Sequence, residues 1–326
     1  MSRAKANQKQ ARAKTKTKVG LGARAPRAAA AHTAPDGRVH LALVRDPATG
    51  HEFVSLSKRV FAETWQNDLV TGTANTTRGT FRDQPSVDAA IALARNAMEA
   101  TSRLSDGLLG RAPAGAVACK AGCDHCCHQS VGVTPPEALA IWRHLTETLS
   151  PAELTEVAAH VAAVHARTTG LSSDDRYSPD HPCAFLRAGQ CSIYDVRPLA
   201  CRGMNAFDAG VCARRLRDPA TRAAFLADPD SLGPNSFMEP IRAFHAISAG
   251  LQLGLAELYR LDMLPLDLAA ALDLLLSAPA SQAQAKAQEW IDGGSPFASA
   301  RGGDSSHEPG VRSVSGALDD AITPQR

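Results

Sequence analysis

Four of the chain's eight cysteines fall in nine consecutive residues, Cys119–Cys127, which read CKAGCDHCC. They are Cys119, Cys123, Cys126 and Cys127; the other four follow at wider intervals as Cys183, Cys191, Cys201 and Cys212. None lies before residue 119 or after residue 212. Cysteine used as a small buried hydrophobe would be scattered along the sequence. Thiols confined to one window of a 326-residue chain serve disulfides or metal.

Redox compartment separates these two uses. The first residues are basic (MSRAKANQKQARAKTKTK), but no apolar run of the kind a secretory signal needs follows them. Nor is there a stretch of roughly 18 apolar residues to span a membrane. The expectation is a cytoplasmic protein without membrane contact. Thiols there stay reduced, and clustered cysteines act as metal ligands or redox groups. The chain is long enough to bury a core without metal. Its net charge of +2 conceals an asymmetry: residues 1–38 hold ten Lys/Arg and one Asp, a net +9, which leaves −7 for the remainder. Residues 1–37 read as a disordered basic tail. Weak contact with nucleic acid is the alternative use of such a tail, though no aromatic residue there offers a stacking platform.

The pattern beyond the tail predicts a mostly α protein with a small β-hairpin: a cysteine-rich metal-binding module followed by C-terminal helices. Residues 38–114 form an N-terminal segment. In it VHLALV (39–44) and EFVSLS (52–57) flank the turn sequence DPATG and suit a hairpin. Residues 58–84 show no clear pattern. Ser86 caps a helix to about Ser105, and GLLGRAPAG (107–115) ends it. The metal module spans 115–215. Thr134, Pro135, Pro136 and Glu137 open one helix, and Ser150-Pro151-Ala152-Glu153 is a capping box for a second, to about Thr168. In PCAFLRAGQCSIY (182–194) we expect a hairpin carrying Cys183 and Cys191, one on each arm. Residues 216–292 form the helical C-terminal region, with Ile241, Phe244, Ile247, Leu251, Leu255 and Leu258 at helical intervals. Residues 293–326 read as a second disordered tail.

Cys119, Cys123 and Cys126 stand at i, i+4 and i+7. They would share one face of a helix, and on a tight loop they could wrap one ion or cluster. Cys127, beside Cys126, points elsewhere in any regular conformation, which suits two neighbouring ions or a polynuclear centre. Thiolates select zinc, Cu(I) or iron–sulfur clusters. A tetrahedral zinc on four thiolates and a four-thiolate iron–sulfur cluster are both allowed.

CKAGCDHCC followed by VGVTPPEA resembles the signature of the CxxCxxCC cysteine-cluster family, a zinc- or iron-chelating domain. The second half resembles it too, in PC-x-FL and G-x-CSIY-x-x-RP-x-x-CR over Pro182–Leu186 and Gly189–Arg202. The likeness covers about residues 115–205. It implies that Cys119, Cys123, Cys126, Cys127, Cys183, Cys191 and Cys201 belong to one metal-binding module, with Cys212 carried over more weakly. Three residues separate Cys119 from Cys123, where the family's name has two. A distant similarity to the cysteine-cluster region of flagellin lysine N-methylases implies an alternative function: an iron–sulfur-dependent enzyme that uses S-adenosylmethionine to modify a protein or peptide. CKAGCDHC also fits the CxxxCxxC motif of radical S-adenosylmethionine enzymes, but the strand–helix alternation those enzymes require is missing.

Other candidates have simpler explanations. His125, His128 and His181 flank the thiols as ligands or as orienting partners. Arg197 and Arg202 suit cluster sulfurs or an anion, although pairing of Arg197 with Asp195 is the plainer reading. Glu137 could act as a base, but a helix-start carboxylate explains itself. Tyr194 is expected to pack. No local Ser-His-Asp, paired-carboxylate or HExxH arrangement stands out, so no catalytic residue is assigned.

Overall fold

The computed structural model describes residues 41–45, 49–50, 52–56, 59–81, 85–228 and 232–301. The basic stretch 1–37, with its nucleic-acid reading, and residues 302–326 of the expected C-terminal tail lie outside them. Strands β1 (Leu41–Arg45) and β2 (Glu52–Leu56) pair antiparallel. Helices α1 (Thr64–Phe81) and α2 (Val87–Leu109) follow. Next come β3 (Gly132–Val133), α3 (Pro135–Thr148), α4 (Pro151–Thr168) and the single turn α5 (Ser173–Arg176). The hairpin β4 (Leu186–Arg187) and β5 (Gln190–Cys191) leads to α6 (Leu199–Gly203), α7 (Ala209–Arg217) and α8 (Pro219–Ala227). The last elements are α9 (Met238–Tyr259), β6 (Leu266–Asp267), α10 (Leu268–Leu276) and α11 (Ala280–Ile291). The protein is mostly α-helical with small antiparallel sheets. No helix among the described residues is long and apolar enough to cross a membrane.

Local chemistry sets the helix starts. The Ser86 hydroxyl accepts the Ala89 N–H at 3.2 Å at the head of α2. Ser150 and Glu153 form the capping box of α4, and Asp267 accepts the Ala270 N–H at 3.0 Å to cap α10. Helix α2 buries Val87, Ala90, Ile91, Ala94, Ala97 and Met98 on one stripe and runs past the end expected at Ser105, since a solvent-facing Gly107 costs a helix only about 1 kcal/mol.

Helix α1 occupies the stretch whose sequence showed no pattern. Its polar residues work locally: the hydroxyls of Thr71, Thr76, Thr77 and Thr80 each donate to the carbonyl four residues back. The Asn67 side chain accepts the N–H groups of Val60 and Phe61, and that of Asn75 accepts the Val54 N–H of β2 at 2.8 Å.

The helices pack in succession, α1 on α9, α9 on α2, α2 on α3, α3 on α10 and α10 on α4. Helix α10 packs on both α3 and α4. Strand β3 pairs with β6, which lies 134 residues on (Gly132↔Asp267, Val133↔Leu266), and Arg301 bridges to Leu266. The chain therefore stays ordered beyond residue 293: Phe297 and Ala300 are buried because this apolar pair closes the end of the core. The β4–β5 hairpin is shorter than expected. Cys191 lies on β5, but Cys183 precedes β4 in a turn closed by the Leu186 N–H on its carbonyl.

Helices α1 and α9 cross with their backbones close together. A Cβ at Gly250 would lie 2.5 Å from the Val70 carbonyl oxygen, and one at Gly254 would lie 2.9 Å from the Thr77 Cβ. Gly250→Ala should destabilise the fold by about 1–3 kcal/mol through overpacking. Gly72→Ala, at an exposed α1 position with nothing within 4 Å, should be neutral or stabilising by up to about 1 kcal/mol. Urea unfolding checks the pair; equal effects would contradict a backbone-close crossing.

Candidate metal centre

The first four cysteines sit on a loop, not on a regular helix. The Ala118 N–H donates to the Ala206 carbonyl at 2.8 Å, which fixes the strand entering Cys119. Gly122, at φ 86°, turns the chain, and Cys123 closes the turn onto the Lys120 carbonyl. Cys126 and Cys127 lie in a 3-10 turn over His125–His128. The loop reading of the i, i+4, i+7 spacing therefore applies.

The second half folds against this loop. The Cys183 N–H donates to the Cys127 carbonyl at 2.7 Å, a direct backbone link between the two motifs. The hairpin turn uses Ala188 and Gly189, both with positive φ (48° and 75°), and a Cβ at Gly189 would come within 3.8 Å of the Gly122 carbonyl. Cys201 lies on α6. Cys212 lies on α7, which packs on the 3-10 turn, and the Asn235 amide reaches its sulfur at 3.6 Å.

All eight cysteines are free thiols, and they influence one another's protonation. Burial pushes the Cys201 thiol well up, with Cys183, Cys126 and Cys191 adding to the effect. Cys183 is pushed up to about 11 by burial, with Cys191 contributing and Arg176 opposing. The hydrogen bond from Cys127 lowers Cys126 to about 7 and raises Cys127 itself, on which burial, Cys183 and Cys201 act in the same direction. Cys119 rises to about 11 through burial, then Cys123, Cys126 and Cys212. Burial also raises Cys212, with Cys123 and Cys126 adding. Two neighbourhoods emerge, Cys119/Cys123/Cys212 and Cys127/Cys183/Cys191/Cys201, with Cys126 common to both. Among the described residues no three Cys, His, Asp or Glu side chains already stand in metal-coordinating geometry.

Several sulfurs have donors aimed at them. The N–H groups of Phe185, Ile193 and Ala206 hydrogen-bond to the sulfurs of Cys183, Cys191 and Cys119 and favour their thiolate forms. The Arg197 charge favours the thiolates of Cys126, Cys191 and Cys201. Its guanidinium lies 4.2 Å from the centre of the Tyr194 ring. Tyr194 is 59 % exposed, so it does not pack as expected; it stacks on Arg197 at the surface instead. The pairing of Arg197 with Asp195 is absent among the described residues. Asp195 instead offers its backbone carbonyl to Arg202 at 2.6 Å, and Arg202 also bonds the Arg197 carbonyl and the Ser102 hydroxyl. A set of thiols ringed by N–H donors and a guanidinium fits a thiolate-bound cation.

The Nδ1 of His128 meets the Ser178 carbonyl at 3.1 Å and ties the 3-10 turn to the loop before Cys183. His125 Nδ1 lies 3.6 Å from Asp124. His181 Nδ1 is buried without a hydrogen bond.

Glu137 does more than start a helix. Its side chain is buried. One carboxyl oxygen accepts the Thr134 N–H and hydroxyl at 2.9 and 2.8 Å, and the other accepts the Leu199 N–H at 2.9 Å. It thus joins the head of α3 to the head of α6, two residues before Cys201. Burial raises its carboxyl above the usual range, against the pull of the Leu199 and Thr134 donors and of Arg202. Gly203 completes the seat of α6: a Cβ there would collide with the Phe244 ring and lie 3.0 Å from the Pro240 carbonyl on α9. Gly203 carried no signal in the sequence beyond following Cys201-Arg202.

Replacing Glu137 by Ala should destabilise the protein by about 3 kcal/mol, since it strands buried donors on both helices. Glu137→Gln should also destabilise, because one amide face turns N–H toward N–H. Denaturant unfolding reads both; a neutral Glu137→Ala would remove the bridge from the account.

No curated protein and no solved structure matches the chain. The scan against family models, in contrast, finds one match, over residues 118–218, which take in all eight cysteines and the Glu137 bridge. Those residues match the model of the CxxCxxCC family, described as "Putative zinc- or iron-chelating domain".

Proposed function

We propose that this chain is a metal-binding protein whose eight cysteines hold two adjoining thiolate centres, of zinc or of iron–sulfur type. One centre draws on Cys127, Cys183, Cys191 and Cys201. The other draws on Cys119, Cys123, Cys126 and Cys212. The observation that carries this reading is the mutual neighbourhood of thiols from both halves of the motif, clasped by the Cys183 N–H on the Cys127 carbonyl. Adjacent Cys126 and Cys127 serve different centres, which resolves the geometric difficulty of aiming neighbouring side chains at one ion.

The donor chemistry supports the same conclusion. Buried thiols that raise one another's proton affinity cannot all ionise alone. A divalent cation supplies the compensating charge, and its binding then releases protons and stabilises the fold. Four thiolates per centre suit tetrahedral zinc and iron–sulfur clusters alike. Bound metal would organise this region, while the N–H donors from Phe185, Ile193 and Ala206 orient the sulfurs and Arg197 offsets their charge. The finer reading of the protein as cytoplasmic rests on this thiol chemistry, which a reducing compartment preserves.

Metal and acid-labile sulfide, measured on the full chain purified without oxygen, test the proposal. Cys191→Ser should lose about half of the bound metal and melt at a lower temperature. Cys191→Ser combined with Cys212→Ser should lose nearly all of it, and a strong chelator should lower the melting temperature of the native chain but not of the double variant. Unchanged metal content in the double variant would contradict the proposal.

A further inference from the structure

A polar cavity of about 110 Å³ lies where the end of α4, the turn α5 and the start of α10 meet. Its walls include His165, Ser130, Ser173, Ser299, Arg176 and Arg301. We propose that it is a binding site for a small oxyanion, held chiefly by Arg176. Nothing in the metal-binding reading requires this site, and none of the eight cysteines lines it.

The cations around the cavity differ in how they are satisfied. The Nη2 of Arg301 meets Asp262 at 2.6 Å. The Nδ1 of His165 meets Asp273 at 2.8 Å. Arg176 is the exception. Its side chain is only 8 % exposed, yet its one ion-pair contact, Nη1 to Asp267 Oδ2, is 3.5 Å long. The Nε of the same guanidinium is buried with no hydrogen-bond partner. The other oxygen of Asp267, which also lines the cavity, caps α10 through the Ala270 N–H at 3.0 Å.

A guanidinium carries five N–H donors, and a buried one left with a single long contact is costly. The group that best satisfies it is an anion with two oxygens, which matches the planar fork. The cavity has room for such an ion, and the hydroxyls of Ser130, Ser173 and Ser299 offer it further donors. Carboxylate, phosphate and sulfate share this chemistry. Water is the competing occupant, since the space is polar and roomy enough to hold several molecules.

The experiment compares melting temperatures of the full chain, as purified, in phosphate, sulfate, acetate and chloride at equal ionic strength. A saturable rise with at least one oxyanion over chloride is expected, and the ranking of the three separates tetrahedral from planar ligands. Titration calorimetry with the best ion should then show Arg176→Lys, which keeps the charge but loses the fork, binding about tenfold more weakly. If Arg176→Lys fails to fold, Ser173→Ala decides, with an expected weakening of about threefold from the loss of one donor. No rise above chloride with any oxyanion would mean that water alone fills the cavity and would overturn the proposal. So would unchanged affinity in Arg176→Lys or, where that variant does not fold, in Ser173→Ala.

Discussion

A single buried carboxylate ties together two helices that flank the cysteine stretches. Glu137 accepts hydrogen bonds from Thr134 at the head of α3 and from Leu199 at the head of α6, the latter 62 residues from Glu137 in sequence. Each helix start carries N–H groups that need partners, and one side chain serves both. The consequence reaches past the helices. With α6 fixed to α3, Cys201 is held near the loop that ends in Cys127, and the Cys183 N–H closes on the Cys127 carbonyl. Arg202 adds a second tie, gathering the Asp195 and Arg197 carbonyls and the Ser102 hydroxyl of α2. Gly203 lets α6 lie against α9 without a side chain between them.

That arrangement concentrates thiols where they are poor acids. Burial and neighbouring sulfurs raise Cys119, Cys127, Cys183, Cys201 and Cys212, while Cys126 alone among the shifted thiols is lowered. On the proposed function, a bound cation would offset the cost of crowding them, which would couple metal affinity to local folding. Glu137 and the helices around it contribute the part of the organisation that does not depend on metal.

Much of this was legible in the sequence, and the illegible parts have physical reasons. The starts of α3 and α4 announce themselves through Thr134, Ser150 and the prolines after them. The cysteine pattern and the RAGQ turn mark the module. Helix α1 was hidden because its interior is Thr, Asn and Gly; its stability comes from threonine back-bonds and the close approach to Gly250 and Gly254, which are tertiary facts. The β3–β6 pair joins residues too distant for any local signal. Glu137 showed only its capping role, since its second partner, Leu199, lies across the fold. Tyr194 looked like a core aromatic, but its ring serves Arg197 at the surface. Arg176 ends the polar turn α5, and only its contact with Asp267 at the head of α10 reveals a buried cation.

The central claim is that thiolates from both halves of the motif surround the bound metal. X-ray absorption at the metal edge, on the full chain purified without oxygen, tests it most directly. The account predicts a first shell of about four sulfurs at about 2.3 Å per metal, retained in the native chain and depleted in Cys191→Ser. A shell dominated by nitrogen or oxygen, or one unchanged by that substitution, would contradict it.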